Sequence, residues 1–119
     1  APLLRLESLR VVEGAPLSRS VSLFPAERFP GIVVAYADCG TITGALRREG
    51  LADYRRAETR LVAERADAGD VALLGCAPDA VMIVTAGLDC DPEGRPVQAI
   101  TTRFLADRVE IVLAGAPAA

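Results

Sequence analysis

Histidine and lysine are both missing from this sequence, and their absence prunes the chemistry before any pattern is read. There is no histidine, so no Ser–His or Cys–His catalytic pair can be built and the commonest metal ligand is gone. There is no lysine either, and all 13 basic residues are arginines. Set against 16 acids they leave a net charge of −3 with no basic run, a poor footprint for direct nucleic-acid binding. Cysteine is scarce. Cys39, Cys76 and Cys90 are odd in number and lack C-x-x-C spacing, so they read as reduced packing thiols rather than a disulfide framework or a zinc cage. No apolar stretch approaches the roughly 20 residues a membrane span needs, and no signal-peptide pattern opens the chain. Glycine does not form a phosphate loop, because Gly40-Thr41-Ile42-Thr43-Gly44 lacks the lysine and the spacing of a Walker motif. With 119 residues, 51% of them hydrophobic, these absences predict one soluble cytoplasmic domain without metal or cofactor.

What is present is a repeat. Glu13-Gly14-Ala15-Pro16-Leu17, a gap, then Phe24-Pro25-Ala26-Glu27-Arg28 returns at a constant offset of 80 residues as Glu93-Gly94-Arg95-Pro96-Val97, the same gap, then Phe104-Leu105-Ala106-Asp107-Arg108. Two copies are too few for a solenoid. They predict a duplicated unit, two similar hairpins in one domain. Arg28 and Arg108 stand at equivalent places, which argues for a structural role at the end of each hairpin.

The local patterns fit that picture. Residues 3–12 and 17–24, joined by Glu13-Gly14-Ala15, read as a β-hairpin. Pro25 to Phe29 is a polar turn, and periodicity leaves Ile32 to Ala37 open between strand and helix. Thr41 to Glu49 is a capped helix stopped by Gly50. Tyr54 to Arg65 alternates as a half-exposed strand, with Ala57, Thr59, Leu61 and Ala63 facing one way. Asp67, with Asp70 three residues on, starts a short helix ended by Gly75. Strands are expected over 81–88, 97–104 and 109–113, with a turn at Asp91-Pro92-Glu93-Gly94 and a frayed tail over 114–119. The class is therefore α+β, a mostly antiparallel sheet of about five to six strands with short helices. The second copy is preceded by a strand and a helix, and the first is not. The start at Ala1-Pro2, without a Met, then reads as a trimmed or processed chain whose parent extends further at the N-terminus. A sheet lacking that strand has an edge open to pairing.

Several segments together resemble a known family. They are Gly50-Leu51-Ala52-Asp53-Tyr54-Arg55-Arg56-Ala57-Glu58-Thr59-Arg60, the helical stretch Ala66 to Gly75, Asp89 to Val97, and Thr102 to Val109. In this order and spacing they resemble the UTRA effector-binding domain of GntR/HutC-type bacterial transcription regulators, with phosphonate-metabolism regulators the most similar branch. The resemblance implies a chorismate-lyase-like fold over residues 1–119. It also implies a homodimer, and DNA binding only through a winged helix-turn-helix domain outside this chain, as is the family's first strand–helix unit. The expected function is sensing of a small anionic effector, of phosphonate or phosphate type, rather than catalysis. A chorismate-lyase-like enzyme and a ligand-free dimerisation module are the alternatives.

An anion needs arginine forks, hydroxyls and amides. Arg10 shares a strand side with Leu4, Leu6 and Ser8, so it is either a surface arginine near a turn or a ligand contact. The resemblance favours the contact, and where this chain has Ser8 related members carry a second arginine. Thr41 and Thr43 open a helix, where one caps and either could hold an oxyanion with the same amides. The resemblance places Ser20 toward the pocket. Thr59 reads by itself as a core hydroxyl and Arg103 as an inward group or a salt bridge; both join the expected set. Tyr54 closes the pocket or anchors its strand.

Overall fold

In the computed structural model, which describes residues 2–115, the order is β1 (Leu3–Val12), β2 (Ala15–Pro25), α1 (Ile32–Cys39), α2 (Ile42–Arg48), β3 (Arg55–Arg65), α3 (Ala68–Leu74), β4 (Val81–Cys90), β5 (Pro96–Leu105) and a 3-10 turn, Ala106–Arg108. The strands form one antiparallel sheet in the order β1-β2-β5-β4-β3. The expected α+β class holds.

The repeat is visible in the register. β2 and β5 pair at the centre of the sheet with Val21 opposite Thr101, the two residues the 80-residue offset makes equivalent. A pseudo-twofold axis therefore passes between them and exchanges the Ser20–Thr102 pair with the Ser22–Ile100 pair. The ends obey it too. The Arg28 guanidinium donates to the carbonyl of Pro96 (3.4 Å), and the Arg108 guanidinium donates to the carbonyl of Pro16 (2.9 Å). Each arginine ties the end of its own hairpin to the repeat proline of the other. Arg28 also pairs with buried Asp91 at 2.5 Å and lies 5.1 Å from the Phe29 ring centroid.

The two faces of the sheet are covered differently. On one face α1 and α2 pack over Leu6, Phe24 and Val97, with Phe29, Ile32, Ala35, Ala45 and Leu46 completing a dry core. Each such large side chain, fully buried, contributes about 1.5–3 kcal/mol. This decides the segment that periodicity left open: Ile32 and Ala35 lie three apart on one helical face and fill the core, while Val33 and Val34 stay exposed. On the other face α3 rests on β2, and Leu74, Met82, Val84 and Leu105 form a smaller cluster.

Two expectations fail. Residues 109–113 form no strand. Val109 is extended, but β5 already has partners on both sides and neither outer strand receives the segment. A strand without a ladder partner leaves its backbone to water. β3 was expected to be half-buried, and every residue from Arg55 to Arg65 is exposed. It is an outer strand, paired on one side with β4. Of the expected frayed tail, residues 116–119 lie outside the described residues.

Candidate functional site

The site is built by strand alternation. Antiparallel pairing sets Arg10 opposite Ser18 and Ser18 opposite Phe104, and in the next row Ser8 opposite Ser20 and Ser20 opposite Thr102. Directly opposed side chains share a face with Cβ atoms about 5 Å apart. These rows face the α1–α2 side and extend the floor that Leu6, Ser22, Ile100 and Phe24 begin. The helices cover only the Phe24 half. Over the other half a cavity of about 590 Å³ opens, floored by β1, β2 and β5, a volume within the ordinary range for small-molecule sites. The pseudo-twofold makes Phe24 and Phe104 equivalent. Phe24 is fully buried under the helices, and Phe104 lines the cavity.

Helical residues form one wall. α1 supplies Tyr36 and ends at Gly40, whose φ of +78° is a left-handed cap that suits glycine. That reversal sets Thr41 and Ile42 at the rim. The Thr41 hydroxyl accepts a 3.1 Å hydrogen bond from the Gly44 amide, the ordinary N-cap contact.

The lining is hydroxyl-rich and carries one charge. Ser20 Oγ and Thr102 Oγ1 are 2.9 Å apart on the floor, and Ser18 beside them is 2% exposed. Arg10 is the only charged residue of the lining and makes no ion pair among the described residues.

The opposite face holds the main ionic cluster. Arg19 and Arg103 sit directly across β2 and β5 from each other. Their like charges are bridged by Asp70, fully buried, at 2.8 Å from Arg19 and 3.0 Å from Arg103. Asp67 pairs with Arg19 at 2.7 Å and Glu64 with Arg103 at 2.8 Å. Asp67 and Asp70 are also the two halves of the α3 capping box. Burial alone raises the Asp70 pKa; the Asp67 amide, Arg19 and Arg103 outweigh it and hold the carboxyl below the usual range.

The expected site residues therefore divide. Arg10, Ser20 and Thr41 share the cavity. Arg103 does not: it lies on the other face, committed to Asp70 and Glu64, because its phase along β5 is that of Arg19 and not of Thr102. Thr43 is exposed, directly follows the rim residue Ile42, and is paired with the Tyr54 hydroxyl at 2.8 Å outside the cavity. Tyr54 packs on the helical core and so anchors the start of β3. Thr59 is exposed on outer strand β3 and accepts from Arg56 at 3.2 Å. Ser18, Thr102 and Phe104 also line the cavity, outside the expected set. The signals were present, since Ser18 alternates with Ser20, and the axis through Val21 and Thr101 puts Thr102 opposite Ser20.

The UTRA domain model matches residues 1–110. An uncharacterized HTH-type transcriptional regulator of Rhizobium meliloti is 43% identical over 110 residues, covering 92% of this chain and 45% of its own length. The chain thus spans less than half of that curated relative. Among solved structures, PhnF from Mycobacterium smegmatis superposes with a TM-score of 0.84 at 21% identity, covering 97% of this chain and 52% of that one. The ligand-binding domain of a regulator assigned to the GntR family from Bordetella bronchiseptica gives 0.80 at 19% identity, covering 88% and 69%. These likenesses establish a shared fold.

Proposed function

This chain belongs to the UTRA domain family, and from that premise we propose that it is the effector-sensing part of a GntR-type, HutC-like bacterial transcription regulator. The effector is a small anion of phosphonate or phosphate type, held in the cavity beside Arg10. One observation carries this reading. A single arginine, without an ion-pair partner among the described residues, stands over a floor of Ser18, Ser20 and Thr102 in a cavity of small-molecule size. Arginine forks and hydroxyls are the donors that phosphonate oxygens accept from.

The regulator acts as a cytoplasmic homodimer, its operator contacts made by a winged-helix domain outside this chain. The relative's HTH designation and its greater length support that arrangement. The effector works by binding two conformations unequally. Thr41, at the rim, contributes its hydroxyl. Its helix has seven residues, so the weight falls on the arginine and the floor. Thr43, Thr59 and Arg103 stand outside the cavity and are left out of the site.

Thermal unfolding with methylphosphonate, inorganic phosphate or sulfate tests the reading. A ligand at a hundred times its Kd stabilises the folded state by about 2.7 kcal/mol. The transition should rise with at least one of these anions, and Arg10→Ala should remove the rise while leaving the anion-free transition in place. A flat response to all three overturns the proposal.

A further inference from the structure

Resting on that reading, we infer that the site selects anions without an ammonium group, and so excludes aminoalkyl phosphonates in favour of their amine-free counterparts. The argument is a charge inventory of the cavity and its surroundings. Among the described residues, no carboxylate lines the cavity. The three buried carboxylates are spent elsewhere: Asp70 on Arg19 and Arg103, Asp89 on Arg56 and Gln98, Asp91 on Arg28. Glu7, on β1 next to Ser8, points to the other side of the sheet and pairs with Arg5 at 2.9 Å. Asp38, near the end of α1, pairs with Arg48 at 3.4 Å.

An ammonium carried into this cavity would exchange water for neutral hydroxyls and would share the space with Arg10. Both effects oppose it, because a desolvated cation needs an anionic partner and like charges repel more strongly away from bulk water. An alkyl tail of the same size meets Ile42, Ile100 and Phe104 instead, and gains by leaving water.

Propylphosphonate and 2-aminoethylphosphonate form the test pair, since methyl and ammonium differ little in size. Calorimetric titration of the chain at pH 7 should give propylphosphonate at least tenfold tighter, equivalent to about 1.4 kcal/mol. Thr102→Glu, which adds a carboxylate to the floor, should narrow or reverse that ratio, with its fold checked by circular dichroism. Equal binding of the two, or tighter binding of the amine, overturns the selectivity and leaves the anion site standing. Binding of neither, together with silence toward methylphosphonate, phosphate and sulfate, overturns the site itself.

Discussion

Asp70 ties several parts of this structure together through one side chain. It accepts from the Asp67 amide, closes the α3 capping box, and neutralises two arginines from the two halves of the repeat. Removing one partner of a buried ionic cluster strands the others, so Asp70→Ala should cost about 3 kcal/mol in urea unfolding. The pH dependence has a fixed sign. Asp70 and Asp91 are both held below the ordinary 3.8; burial raises each, and is outweighed by backbone amides and arginines. Their stabilisation is complete above 3.8 and is lost as pH falls through the folded-state values. Acid titration followed by circular dichroism should show Asp70→Asn and Asp91→Asn converging on the parent protein at low pH, with the parent ahead at neutral pH. The capping pair was legible in the sequence, because Asp-x-x-Asp is a local pattern. The commitment of Arg103 to it was not, because nothing local to β5 says which sheet face α3 covers.

At the scale of elements, the hairpins and caps follow from short-range rules and the helical wall follows from the core. Thr41→Ala removes the α2 cap and should cost about 1 kcal/mol in thermal unfolding. The twin arginines offer a sharper comparison. Arg28→Ala and Arg108→Ala each delete one guanidinium–carbonyl tie, but only Arg28→Ala also strips a pairing arginine from buried Asp91. Arg28→Ala should therefore lower the melting temperature further, since a buried charge deprived of its partner costs more than a lost surface hydrogen bond. Equal losses would show that Arg95, 3.3 Å from Asp91, suffices. Residues 109–113 are apolar and β-branched enough for a strand, and the alternation of β3 suggests a buried side. Both readings misled because composition and alternation report a capacity for pairing and burial, while neighbours decide whether either happens.

For the whole molecule, the order β1-β2-β5-β4-β3 puts the two repeat halves in contact through their second strands. Amide exchange should follow that order, slowest in β2, β5 and β4, the three strands paired on both sides, and fastest along outer strand β3 and residues 109–115. A well-protected β3 would mean that its exposed outer edge is covered in solution by another chain. The sequence by itself determined the duplication, the two hairpins and the capped helices, the capping box, and the lack of histidine that narrows the chemistry, because each is written in residue identity and spacing along the chain. Only the tertiary structure decided that α1 and α2 cover one half of the pseudo-symmetric floor and leave the other open. It alone set Arg10, Ser20 and Thr102 on the open side with Arg103 behind it. Those outcomes depend on strand register and on which face each helix packs, contacts between residues up to 80 or more positions apart that no local pattern encodes.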